Sequence, residues 1–447
     1  MGILEQIEAA GIVGCGGAGF PTHRKLTAGT EYFIVNGAEC EPLLRTDRWL
    51  MRNQADALIR ATEALGRELH FGHLVVAVKA HYEEEIAALR QAIAQAGSTV
   101  TIHELESFYP AGDEQTIVYE VTGRVVPPAG LPGMVGAIVN NVATVYAISQ
   151  AMDGIPFTEK YLTVTGAVRT PTVLRVPLGT SYAHCIDLAG GALEPSYFCV
   201  NGGPMMGKPV PMAEATQAVV TKTTSGILVL PAQGYHARTS QVDLTHMLSR
   251  ARSACIQCSY CTQLCPRHLL GHPLEPHRIM RAMASSQPVA DLLNDPVIRL
   301  AQLCCECGIC EVYACPMGLF PRKINTALKK ELAAAKLRWQ APDQTWTPSP
   351  LRDDRKAPSQ RVAARAGVSA YYDYEIHTLR TGDPDRVALP LQMHIGAPAV
   401  PVVSPGDRVQ AGDVIARPPE GALGALLHAS LTGRVEAVDG QIIIVKE

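Results

Sequence analysis

Apolar positions in the first third of the chain fall alternately into strand-length runs and helix-length stripes. Residues 3–10 read as a short helix closed by Gly11. Glu31–Val35 reads as a strand, 50–65 as a helix, 73–78 as a strand and 82–96 as a helix. Such alternation predicts an α/β layer. Between 158 and 212 the pattern changes. Tyr161–Val164 and Phe198–Val200 are short β runs, punctuated by Gly166, Pro171, Gly179, Gly190 and Gly191. Residues 241–337 are helical again, with stretches 242–252, 275–284 and 322–336 flanking two cysteine-rich loops. Residues 340–366 carry Pro342, Pro348, Pro350 and Pro358 with little apolar periodicity, which predicts a linker. Residues 384–447 return to strand-length runs rich in Val, Gly and Ala.

Composition narrows the classes. At 447 residues, length favours about three domains. A net charge of -3 offers nothing to nucleic acid or to an anionic membrane surface. No apolar run is long enough for a membrane span. The opening MGILEQIEAAG lacks a basic region followed by an apolar core, so it is not read as a secretory signal.

The cysteines carry the strongest chemical signal. Cys255, Cys258, Cys261 and Cys265, followed by Pro266, spell C-x2-C-x2-C-x3-C-P. Cys304, Cys307, Cys310 and Cys315, followed by Pro316, repeat it with one extra residue before the last cysteine. Soft thiolates at this spacing suit 4Fe–4S cubes, whereas zinc ribbons use separated C-x2-C pairs. In two-cluster ferredoxins the cysteine before the proline ligates the other cluster. That rule groups Cys255, Cys258, Cys261 and Cys315 on one cluster, and Cys304, Cys307, Cys310 and Cys265 on the second. Cys305 is an adjacent alternative to Cys304, but only Cys304 keeps the spacing. The other cysteines are Cys15, Cys40, Cys185 and Cys199. Free thiols beside such clusters fit a reducing, cytoplasmic setting.

A second signal is weaker in each part. Gly14, Gly16 and Gly19 satisfy G-x-G-x-x-G, but a helix precedes them and Pro21 follows too soon for a standard dinucleotide-binding turn. Glu39 and Glu41 follow the strand ending near Val35, where acids can accept ribose hydroxyls.

In order, GCGGAGFPTHRK, NGAECEP, YPAGDEQ, RVVPP and VNNVAT resemble the NADH- and FMN-binding domain of the complex I flavoprotein subunit. They resemble more closely the RnfC component of the Rnf complex and the cobalamin reductases of propanediol-utilisation microcompartments, over nearly the whole chain. The resemblance implies that Gly14, Gly16, Lys25, Asn36, Tyr109, Asn140, Asn141 and Thr144 line FMN. It implies that Gly17, Phe20, Glu39, Glu41, Asp113 and Glu114 lie near the nicotinamide dinucleotide. Lys25 would offset charge on the phosphate or the reduced ring, and Glu39 or Glu114 would hold ribose or orient the nicotinamide. The chain departs from the complex I proteins at Cys15, where they carry Arg, and at Ala38, where Asp is frequent.

The fold so implied is multidomain, α/β plus β. A flavoprotein-like FMN/NADH α/β domain spans 1–155, and an SLBB β-grasp module 156–235. A helical two-cluster ferredoxin domain spans 240–338, a linker 339–383, and a barrel-sandwich hybrid 384–447. His394 to Pro398 match the RnfC version of that last domain, which RnfC proteins carry at the other end. No lysine lies around Glu420, Gly421 and Ala422, so no swinging arm is expected. The implied activity is an NADH-dependent cobalamin reductase working through FMN and two 4Fe–4S clusters, in coenzyme B12 recycling during 1,2-propanediol degradation. Hydride transfer requires no dedicated catalytic acid or base. A corrinoid adenosyltransferase and a microcompartment shell protein are the implied partners, and the microcompartment interior the implied location. The alternatives are an Rnf-type electron-transfer protein, and an electron conduit without NADH chemistry of its own.

Overall fold

A computed structural model describes residues 1–215, 217–285 and 288–447 of the chain. Thr216, Ser286 and Gln287, which fall inside the spans 156–235 and 240–338, lie outside the described residues.

The first module is built on a four-stranded parallel sheet. Its order is Thr101–Leu105, His73–Lys79, Tyr32–Gly37, Ala137–Asn141. The central strands, FIV and LVVAV, are buried on both faces, as a parallel sheet covered by helices requires. Helices Ala55–Leu69 and Glu83–Ala96 make the crossovers. The stripe expected at 50–65 is two helices, Thr46–Asn53 and Ala55–Leu69, broken at Gln54. Both bury apolar residues on either side of the break, so one continuous stripe hides the joint. The last strand enters the sheet beside the first, on the side away from the second. That reversal of strand order is where α/β sheets open a crevice at their carboxyl ends.

The second module is a six-stranded mixed sheet in the order Leu379–Thr381, Thr172–Pro177, Glu159–Gly166, Gly226–Pro231, Tyr197–Asn201, Lys208–Val210. Its edge strand Leu379–Thr381 comes from the span expected to be a linker. That span is not a free tether. Ala357–Pro358 pairs with Phe108–Tyr109, Arg352 pairs with Glu120, and Val362 and Ala363 are buried in helix Ser359–Arg365. Single anchors hold it rather than a continuous amphipathic face, which is why the apolar pattern is silent there.

Helices Leu244–Ala254, Pro276–Met283 and Pro321–Ala334 pack Met247, Ile279 and Ile324 into a core around the cysteine loops. At the C-terminus a four-stranded and a three-stranded antiparallel sheet enclose Leu389, Ile415, Val435 and Ile442. Several apolar clusters cross modules, and one of them bears on the site. It joins Tyr109, Phe198, Met205, Cys307, Ile309 and Val362, and so fixes the first cavity described below against the second cysteine loop. Among the described residues, no helix is long and apolar enough to cross a membrane.

Candidate functional site

A cavity of about 420 Å³ opens at the carboxyl ends of Tyr32–Gly37 and Ala137–Asn141. All the residues singled out by the flavoprotein resemblance line it. Asn36 and Asn141 are paired in the sheet register, so both strands deliver an amide side chain to the same rim. Asn36 Nδ2 donates to the Gly112 carbonyl at 2.8 Å, and its Oδ1 accepts from the Ala38 N–H. Asn141 caps helix Val142–Met152 by accepting from the Ala143 N–H, and its Nδ2 donates to Asp47 at 2.6 Å. Thr144 accepts from the Cys15 N–H at 2.9 Å, which ties the glycine loop to that helix.

The loop lies so close to the helix that a Cβ on Gly16 would stand 2.9 Å from Asn141 Cγ. Gly17, by contrast, faces open space. Phe20 is half-exposed at the rim of the cavity. Asn140 is buried, and among the described residues nothing accepts from its Nδ2. A buried amide without a partner is costly unless a ligand satisfies it. Open glycine backbone, a helix N-terminus and an orphan donor together fit a phosphorylated, hydrogen-bonding ring system such as FMN.

The acids expected at the dinucleotide are already committed within the chain. Glu39 accepts from the N–H groups of Asp47 and Arg48, at the start of helix Thr46–Asn53. Glu41 accepts from Met205 at 2.9 Å and Met206 at 2.7 Å. A Cβ on Gly203 would meet the Glu41 carboxylate at 2.3 Å, so that loop lies directly against it. Asp113 forms a bidentate pair with Arg267 of the helical module, at 2.6 and 2.9 Å. Lys25 donates to Glu114 and to the Val139 carbonyl, both at 2.6 Å. Burial raises the Glu41 carboxyl to about 7, and burial with Glu39 beside it raises Asp47 to about 8.

The two cysteine loops share one backbone design. Gln257 and Ser259 in the first have positive φ, and so do Glu306 and Gly308 at the matching places in the second. Three of these four are not glycine, and left-handed backbone is unfavourable for such residues. Its recurrence at matching positions marks a loop shaped around something. Cys255, Cys258, Cys261 and Cys315 line one small cavity. Cys265, Cys304, Cys307 and Cys310 line another, which Cys305 also borders. Cys304 accepts from the Glu306 N–H and Cys315 from the Leu319 N–H, each at 3.3 Å. Among the described residues, no group of three or more His, Cys, Asp or Glu is placed to hold a single metal ion. Two sets of four soft donors, each around its own space, fit cuboidal clusters.

The cavities are joined. Cys307 lines the large one as well as the second cysteine cavity. The Tyr109 hydroxyl donates to the Cys307 carbonyl at 2.7 Å.

Sequence reasoning missed Lys160, Tyr161, Met206 and Ser225, which the second module contributes to the large cavity. Lys160 left a trace. In strand Glu159–Gly166 it shares the alternation phase of Leu162 and Val164, so a charge stands on the face that is otherwise apolar.

Four family models match the chain. They are the Nuo51 FMN-binding domain over residues 7–150, the SLBB domain over 161–209, the 4Fe-4S dicluster domain over 254–320 and the RnfC barrel sandwich hybrid domain over 372–446. The chain is 42% identical to the cobalamin reductase PduS of Salmonella typhimurium over 99% of its own length and 96% of that protein's. It is 41% identical to the PduS of Citrobacter freundii with the same coverage. The C component of the proton-translocating ferredoxin:NAD(+) oxidoreductase complex of Clostridium ljungdahlii is 35% identical over 60% of this chain and 56% of its own. An NAD+-reducing NiFe-hydrogenase structure aligns with TM-score 0.48 at 19% identity, covering 76% of this chain and 62% of that one.

Proposed function

The chain belongs to the PduS cobalamin reductase family of oxidoreductases, and from that premise we propose that it takes electrons from NADH through FMN and two 4Fe–4S clusters to a cobalamin. Flavin supplies the exchange between a two-electron hydride donor and one-electron carriers. The chain's own residues arrange that exchange. Gly14, Gly16, Asn36, Asn140, Asn141 and Thr144 shape the flavin site, and the Arg267–Asp113 pair clamps the helical module onto its rim. The crossed cysteine grouping around the two small cavities supports Cys255, Cys258, Cys261 and Cys315 as ligands of one cluster. It supports Cys265, Cys304, Cys307 and Cys310 as ligands of the other.

The observation that carries this reading is the shared wall, in which Cys307 borders both the large cavity and the second cysteine cavity. It leaves no intervening module between flavin and cluster. Reduced cobalamin would then pass to a corrinoid adenosyltransferase within a microcompartment bounded by shell protein.

One feature favours the conduit without NADH chemistry. Glu39, Glu41 and Asp113 are each occupied by donors from the chain itself. Anaerobic reconstitution separates the two. About eight irons and one FMN per chain, with NADH-dependent formation of cob(I)alamin, support the reductase. Full cofactor content, with a flavin that stays oxidised under excess NADH but accepts electrons from another reduced donor, leaves the conduit. Zinc in the cysteine sites, or no flavin bound to folded protein, defeats both.

A further inference from the structure

We propose that Lys160, reaching in from the β-grasp module, is the cation that binds the phosphate of the flavin mononucleotide. The proposal rests on the flavin reading of the large cavity. Two lysines line that cavity. Lys25 is spoken for by Glu114 and the Val139 carbonyl. Lys160 is 3% exposed, and among the described residues nothing accepts a hydrogen bond from its ammonium. The ring centre of Phe157 lies 5.8 Å from its ammonium.

The ammonium opens onto the cavity, and a lysine charge at the wall of a partly enclosed cavity attracts an anion. Among the described residues Lys160 forms no ion pair, and the carboxyl that feels its charge is Asp47. Asp47 takes the Asn141 amide, and burial with Glu39 beside it raises its carboxyl, which weakens it as a counter-charge even though Lys160 acts in the other direction. An anion bound in the cavity would give Lys160 a full counter-charge.

Position says which part of the cofactor that anion is. Lys160 also borders a small side cavity with Cys15, Ala143 and Phe157. Ala143 stands in the first turn of the eleven-residue helix Val142–Met152, and Cys15 is in the glycine loop bound to that turn through Thr144. Helix N-terminus, open glycine loop and unpaired lysine thus converge, as phosphate binding requires. Tyr109 and Cys307, beside the cluster loop, line the large cavity but not that side cavity, and would face the redox ring rather than the phosphate.

The test uses the full chain stripped of flavin, titrated with FMN and with riboflavin, which lacks the phosphate. Lys160→Met is expected to weaken FMN about tenfold or more while riboflavin binds within about twofold of the unaltered protein. Lys160→Arg is expected to restore most of the FMN affinity. Unchanged FMN affinity in Lys160→Met, or equal losses for FMN and riboflavin, overturns the assignment. Should Lys160→Met fail to fold, acetylation of the unaltered protein read by mass spectrometry decides. FMN is expected to protect Lys160 where riboflavin does not, and equal protection by both overturns the proposal. Unaltered protein that binds neither flavin refutes the flavin reading itself.

Discussion

The hydroxyl of Tyr109 donates a 2.7 Å hydrogen bond to the backbone carbonyl of Cys307, across 198 positions of sequence. Both residues are buried, and burial keeps the phenol well above its ordinary pKa, so it stays a donor. The bond sets the spacing between the large cavity and the cysteine loop that borders it. Tyr109→Phe keeps the ring and removes only the bond. Stability is expected to fall by about 1 kcal/mol. In stopped-flow experiments flavin bleaching is expected to be unaltered, while cluster reduction slows several-fold. Equal slowing of both steps would show that Tyr109 acts on the flavin site instead.

Arg267 and Asp113 join the helical module to the rim of the cavity, and both are largely buried. Removing one partner leaves the other charge buried. Arg267→Met is expected to cost about 3 kcal/mol in urea unfolding. Combining it with Asp113→Leu is expected to recover part of that loss, in a double-mutant cycle. Additive losses would mean that the pair is not coupled.

Glu41 links stability to pH. Burial raises its carboxyl from 4.5 to about 7, so the folded state binds the proton more tightly than the unfolded chain. Its contribution is full below pH 4.5 and is lost as pH rises through about 7. Over that window unaltered protein is expected to lose about 3 kcal/mol relative to Glu41→Gln. Parallel pH profiles for the two proteins would contradict this.

The crossed ligand sets predict which cluster each cysteine serves. Cys315→Ser is expected to remove the cluster of the first loop and Cys265→Ser that of the second, each leaving about four irons and one EPR signal. Cys305→Ser is expected to retain both. Loss of a cluster from Cys305→Ser, with Cys304→Ser intact, would move the ligand by one position.

Much of this was legible because the relevant chemistry is local. The cysteine spacing groups its own donors, and the sheet of the first module announces itself through runs such as LVVAV. What the sequence hid depends on contacts between distant segments. Gly203 and Met205 press on Glu41 from another module, which no local pattern encodes. Arg352 and Ala357 anchor the strap residue by residue, without periodicity. Lys160 was written into the alternation of its strand, yet its meaning required knowing that the strand's buried face opens onto a cavity.

The relay from flavin to clusters is tested most directly by adding NADH in steps to the anaerobic, fully loaded protein, following flavin absorbance and low-temperature EPR together. The flavin is expected to bleach, and the signals of reduced 4Fe–4S clusters to rise, in the same samples. Flavin that bleaches while the clusters stay oxidised, in protein whose clusters dithionite does reduce, would contradict the relay.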